Sequence, residues 1–297
     1  MSQQPITIVT GAASGIARHM TGVLAGMGHR IIATDINEEA LKKGASEFGW
    51  DSSQVLLEKL DVRDAEQWKK IVDKAVKKWG RLDILMNIAG FAIQGFVHEF
   101  PLNHIDLHID INAKGAILGT HFASVQMVKQ GSGHIINMGS LAGLAPVPGT
   151  SLYCASKFAL RGFSLAVSRE LIPYGVHVTY VAPDLVDTPK LVTQLKFDEK
   201  AASVGFSAPK ILTVKDIEKG LLKAMKKRPL EIAIPRHRGI LCKIGSTFPG
   251  LASPLYSIMS KQGISSMAKE RGKRVSQVKE DTPDTWVEKH TTKYTLP

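Results

Sequence analysis

The chain has 297 residues, 44% apolar and 22% charged, with 38 Lys or Arg against 27 Asp or Glu and a formal net charge of +11. Mean hydropathy is near zero, and no apolar run approaches the ~20 residues of a bilayer-spanning helix, so a disordered chain and a membrane-embedded one are both excluded. The charge is segregated: residues 223–279 hold 13 Lys or Arg against 2 Glu and the remainder is balanced, 25 against 25, which argues against a nucleic-acid-binding surface and for a basic appendage suited to acidic lipids, an acidic partner or a polyanion.

The N-terminus, MSQQPITIV, carries no basic stretch and enters a strand at once, which argues against a cleaved signal and for a cytoplasmic protein. A first strand over 6–10 runs into TGAASGIARHM, residues 10–20, either a phosphate-binding loop opening a helix or an ordinary strand-to-helix turn; Ala17 stands where a dinucleotide loop usually has its third glycine. The second strand, 30–35, ends in Asp35, 24 residues after Gly11. A carboxylate there can accept hydrogen bonds from both hydroxyls of an adenosine ribose and would repel a 2′-phosphate, which favours NAD over NADP; helix capping is the alternative role.

Further strands are expected at 54–61, 82–90, 134–140, 176–183 and 231–235. Between them, residues 64–79 place Trp68, Ile71, Val72, Ala75, Val76 and Trp79 at helical spacing, with Gly80 to end the helix. In YCASK, Tyr153 and Lys157 lie four apart on one helix face, thirteen residues and more beyond Ser140. A tyrosine near pKa ~10 is a poor acid or base at neutral pH, but a neighbouring ammonium would lower that pKa and make proton exchange with an alcohol or ketone feasible. Residues 191–211 are weakly periodic and form a candidate substrate lid; residues 213–227 form a helix that Thr213 can cap. Seven strands alternating with helices predict an α/β fold, a doubly wound parallel seven-stranded sheet with helices on both faces. Residues 1–235 make the dinucleotide-binding and catalytic domain. Residues 236–297 make a basic amphipathic C-terminal extension, read as an interfacial element, an oligomer arm or a cover over the sheet edge. The two cysteines, Cys154 and Cys242, form no metal or disulfide pattern, and the ten histidines form no metal-ligand pair.

Taken together, TGAASGI, Asp35, LDV around Asp61, NIAG at 87–90, NAKG at 112–115, INMGS ending in Ser140, YCASK and PDLVDTP at 183–189 resemble the short-chain dehydrogenase/reductase family over roughly residues 5–235. The resemblance implies that Gly11, Ser14, Gly15 and Ile16 form the pyrophosphate turn. It puts Asp61 and Val62 beside the adenine, and Asn87, Ala89 and Gly90 under the adenosine ribose. Ser140 would hydrogen-bond the substrate oxygen, Tyr153 would exchange the proton, and Lys157 would depress the tyrosine pKa and bind the nicotinamide ribose. Asn112 would hold a helix kink and a proton-relaying water. Pro183, Val186 and Thr188 would line the nicotinamide end. Two further positions depart from the family pattern: Ile88 replaces an asparagine, and Asp184 replaces the glycine after Pro183, where its carboxylate either accepts a hydrogen bond or points outward.

Family pocket walls correspond here to 91–96, 141–149 and 185–191, which are mostly apolar and contain no arginine to clamp an anion. The resulting expectation is an NAD(P)-dependent oxidoreductase interconverting a secondary alcohol and a ketone on a hydrophobic substrate of steroid, retinoid or long-chain lipid type. The alternatives are a 3-oxoacyl or 3-ketosphinganine type reductase and a non-catalytic NAD-binding regulatory or scaffold protein. Helices equivalent to 103–129 and 151–174 imply a homodimer or homotetramer, and the basic extension suggests peripheral membrane contact.

Overall fold

Strands β1 (Ile6–Thr10) and β5 (Gly133–Met138) are buried at every residue, and β2 (Arg30–Asp35) and β4 (Ile84–Asn87) nearly so. Strands covered on both faces read as continuous apolar runs, which is why the sequence marks them clearly. With β3 (Val55–Lys59), β6 (Val176–Pro183) and β7 (Glu231–Ile234) they form one seven-stranded sheet, all parallel, in the order β3-β2-β1-β4-β5-β6-β7. The computed structural model describes residues 4–195, 200 and 203–274; residues 196–199, 201 and 202 of the expected lid and 275–297 of the expected extension lie outside them.

Helices cover both faces. On one, α1 (Gly15–Gly26), α2 (Glu38–Glu47) and a later helix, Val214–Lys227, pack on a core that includes Ala17, Met20, Leu24, Leu41, Ile217 and Leu221. His19 of α1 and Glu218 of that later helix meet at 2.7 Å. On the other face, α3 (Ala65–Trp79) buries Trp68, Ile71, Val72 and Ala75, the spacing anticipated from the sequence, and Asp64 caps it by accepting from Gln67 N. There too lie α4 (Asn103–Ile109), which passes through a wide π turn at Asp110–Lys114 into α5 (Gly115–Lys129), and α6 (Ser151–Leu171). After β6 come a short α7 (Pro189–Gln194) and α8, the Val214–Lys227 helix, whose capping box joins Thr213 and Asp216.

The chain reverses direction across the sheet between β1 and β4, so the loops leaving their carboxyl ends splay apart and open a crevice there. Two more helices, α9 (Arg236–Thr247) and α10 (Pro249–Lys273), follow β7 and cross this same end of the sheet.

Candidate active site

At the carboxyl ends of the strands lies a cleft of about 870 Å³. Its walls include Gly11, Ser14, Gly15, Ile16, Asp35, Asp61, Val62, Ala89, Gly90, Ser140, Tyr153, Lys157, Pro183, Val186 and Thr188. Fifteen of the seventeen residues picked out from the sequence thus meet in one groove, although they come from the ends of six strands and from α6.

At its waist, Gly11 and Gly15 adopt φ of +77° and +55°, a region that side chains disfavour. A Cβ on Gly11 would lie 3.0 Å from Ala89 Cα, and one on Gly15 would lie 3.4 Å from Thr188. The backbone therefore passes close under the loop after β4, with Thr188 across the cleft from the turn. Helix α1 begins here with no acidic residue in its first turn and no side-chain cap, so its first N–H groups and the positive end of its dipole face the cleft uncompensated. That donor set fits a pyrophosphate. Ala17 is fully buried in the helix–sheet core.

At one end of the cleft Asp35 accepts from Ala13 N at 3.0 Å and from Asn37 N at 2.9 Å. These bonds fix the carboxylate, which has acceptor capacity for more than two donors. Asp61 is clasped by Arg63, whose Nη2 lies 2.6 Å from Oδ2. Burial opposes ionisation of Asp61, but the hydrogen bonds and charge of Arg63 overcome it and hold the carboxyl below its ordinary range.

At the other end, α6 carries Tyr153 and Lys157 one turn apart, with Lys157 Nζ 5.7 Å from the Tyr153 ring centre. Lys157 is 3% exposed and donates to Met138 O at 2.8 Å. Ser140 Oγ accepts from Ala142 N at 3.1 Å and is also hydrogen-bonded to Tyr153. The Tyr153–Lys157 spacing predicts a lowered tyrosine pKa, and burial of the phenol acts in the opposite direction. Burial pushes the phenol up to about 12, and the bond with Ser140 only partly offsets it, because removing a phenolate from water costs more than these neighbours return.

A family model described as short chain dehydrogenase matches residues 5–199. The chain belongs to the short-chain dehydrogenase family. Among its relatives, a 3-oxoacyl-[acyl-carrier-protein] reductase of Thermotoga maritima is 34% identical over 68% of this chain and 81% of its own. Among solved structures, ElxO with NADP bound has a TM-score of 0.67 and 28% identity over 74% of this chain and 90% of its own. A short chain dehydrogenase/reductase from Burkholderia phymatum in complex with NAD has a TM-score of 0.72 and 23% identity over 82% and 92% of the two chains. This short-chain dehydrogenase is an oxidoreductase with an NAD(P) cofactor.

Two expected site residues stand outside the cleft wall. Asn87, the last residue of β4, is buried, and its Nδ2 donates to Asn137 Oδ1 at 2.8 Å and to Ala116 O at 3.1 Å; it joins β4 to β5 and α5 rather than facing a ribose. Asn112, in the π turn, accepts from Phe91 N and donates to Phe91 O, both at 2.9 Å, and donates to Ser156 Oγ at 3.1 Å. Its side chain thus fastens the loop after Gly90 to α6, which fits the kink expected of it and leaves its amide committed to protein partners. Arg238, from outside the stretches 91–96, 141–149 and 185–191, also lines the cleft, and its Nε donates to Asp184 Oδ2 at 2.8 Å. That pair also decides the two options for Asp184, whose carboxylate accepts a hydrogen bond.

Gln94, within the expected wall stretch 91–96, lines the cleft at 9% exposure with its Oε1 buried and without a hydrogen-bond partner. Two contributions were not legible in the sequence. Tyr180, fully buried under the catalytic loop, carries no motif. The helices α9 and α10, with Phe248 between them, supply Leu241, Cys242, Ile244, Phe248, Leu255, Tyr256 and Met259 to the wall.

Proposed function

We propose that this short-chain dehydrogenase interconverts a hydrophobic secondary alcohol and its ketone with NAD as cofactor. The observation that carries the reading is the single cleft in which Asp35 and the uncapped start of α1 face one half and Ser140, Tyr153 and Lys157 face the other, the latter among apolar walls. The NAD preference is supported by Asp35 with Ile36 beside it. It is supported too by the engagement of nearby cations: Arg63 with Asp61, and Arg18 over the Phe48 ring and 3.8 Å from Glu47.

In this reading Gly11, Gly15 and the first turn of α1 hold the pyrophosphate, Asp35 the adenosine ribose, and Lys157 and Thr188 the nicotinamide half. The bound nicotinamide supplies a hydride donor or acceptor. Ser140 Oγ donates a hydrogen bond to the substrate oxygen and polarises the carbonyl. Tyr153, protonated at neutral pH, gives its proton to that oxygen as it becomes an alkoxide; in the oxidative direction it recovers the proton from the alcohol. Lys157, pinned by Met138 O, stands beside the phenol with its Nζ 5.7 Å from the ring centre.

An absorbance screen of steroid, retinoid, fatty-acyl and sugar alcohols and ketones with NAD(H) and NADP(H) tests this. Turnover of the apolar compounds with NAD(H) is expected, and turnover confined to NADP(H) or to sugar alcohols would overturn the cofactor or substrate assignment. A 3-oxoacyl thioester is a second reading, favoured by the Thermotoga maritima relative; preference for such thioesters over simple apolar ketones in the same screen would establish it.

A further inference from the structure

The mouth of the cleft is built by the two helices that follow the sheet. Leu241, Ile244, Phe248 and Leu255 line the cleft and yet are 63%, 54%, 56% and 54% exposed, so they form its rim rather than its floor. Ile240 and Ile258, on the same helices, are 49% and 56% exposed and lie outside the lining. An apolar surface of this kind on a soluble protein marks an interaction site.

Charge identifies the partner. Residues 236–274 contain eight Lys or Arg and one carboxylate, Glu270, which is 8% exposed. Arg238 and Lys243 are matched by the mostly buried Asp184 and Glu231, and Arg274 by the exposed Asp187, all three outside this segment. Arg236, Lys261 and Lys269 remain exposed, with no exposed carboxylate on the segment to offset them. Two copies brought together through this face would oppose like charges, whereas an anionic lipid surface complements both the bases and the apolar rim. No helix among the described residues is long and apolar enough to cross a membrane, so the contact would be peripheral.

We infer that the α9–α10 face docks on anionic bilayers, with the apolar rim set into the interface so that the cleft opens toward the lipid. On the proposed activity, a hydrophobic alcohol or ketone then reaches Tyr153 without crossing water; the docking itself stands whether or not that activity is found.

The test is co-sedimentation of the full chain with vesicles of phosphatidylcholine and phosphatidylglycerol, and with phosphatidylcholine alone. Binding to the anionic vesicles is expected, weakened by salt and weaker on the neutral ones. Ile240→Asp with Ile258→Asp, and separately Lys261→Glu with Lys269→Glu, lie outside the cleft lining. Each pair is expected to weaken binding about tenfold or more, with unchanged circular dichroism and melting. Failure of the full chain to sediment, or binding unaffected by both pairs, would overturn the inference. So would a concentration-dependent dimer abolished by the isoleucine pair, since a second copy would then be the occupant.

Discussion

The phenol of Tyr180 shares its proton between the carbonyls of Ser140 and Lys157, each at 3.3 Å, and accepts from Ser140 N at 3.3 Å. It ties the strand end that carries the serine to the helix that carries the lysine. Gly139 and Gly143 make the space: a Cβ on either would fall 2.0 or 2.1 Å from the Tyr180 ring or hydroxyl. Tyr180→Phe keeps the packing and leaves these buried backbone groups short of a partner, a cost of about 1–3 kcal/mol. Chemical denaturation should show that loss, with kcat falling more than cofactor affinity; an unchanged midpoint would mean the phenol does not fasten the loop. Gln94 makes the opposite case. Its orphaned oxygen carries a desolvation cost that an apolar side chain avoids, so Gln94→Met should raise the melting temperature or leave it unchanged. A lower melting temperature would show that the amide is satisfied by bound water. At Tyr153, a phenol lifted to about 12 stays protonated across the neutral range, so ketone reduction should hold level there while alcohol oxidation, which needs the phenolate, quickens as pH rises. Identical pH trends in both directions would exclude the phenol as the proton carrier.

Among the elements, the loop after β6 is held from both sides by the C-terminal helices. Arg238 bonds Asp184 and Arg274 Nη2 lies 2.9 Å from Asp187, while Tyr256 donates to Pro146 O of the loop after β5 at 3.1 Å. Asp184 is thus a departure that makes sense only with α9 in place, a long-range pairing no local pattern can announce. Arg238→Met should destabilise the fold by about 1–3 kcal/mol and raise KM for bulky apolar substrates more than it lowers kcat. Equal loss in both parameters would place Arg238 in the chemistry instead. The same contrast explains what could be read in advance. The sheet, α3 and the loop at Gly11 follow from local rules: two-face burial, helical spacing and positive φ. In α10 the apolar residues point several ways, with Leu255 and Ile258 exposed and Met267 buried against Leu191, Leu195 and Phe206. No single stripe marks its course, so its position over the cleft was invisible. The roles of Asn87 and Asn112 were hidden for a related reason, since a motif gives a residue type and not the direction of its amide.

For the molecule as a whole, buried imidazoles set the response to acid. His134 is 2% exposed, bonds Thr179 Oγ1 at 2.9 Å, and is lowered by burial to about 3, with Arg228 and His177 adding to the shift; His29 and His177 are lowered by burial too. Between pH 3 and the unfolded value of 6.5 the unfolded chain binds a proton at His134 that the native protein refuses. Stability is therefore fully present above that unfolded value and falls with acidification by about 1.4 kcal/mol per pH unit for this group alone. Urea titrations at pH 7 and 5 should show the loss, and His134→Gln should reduce it; equal loss in the variant would move the effect to other groups. The central claim, that this sheet, cleft and tyrosine make a nicotinamide-dependent alcohol–ketone enzyme, is tested most directly by one comparison. It measures NADH formation or consumption over the apolar substrate panel by the wild-type chain and by Tyr153→Phe. The account predicts turnover by the wild type and a loss of about 10²–10⁴-fold in the variant with NADH binding retained. Equal rates in the two proteins, or no turnover of any alcohol or ketone by the wild type, would contradict it.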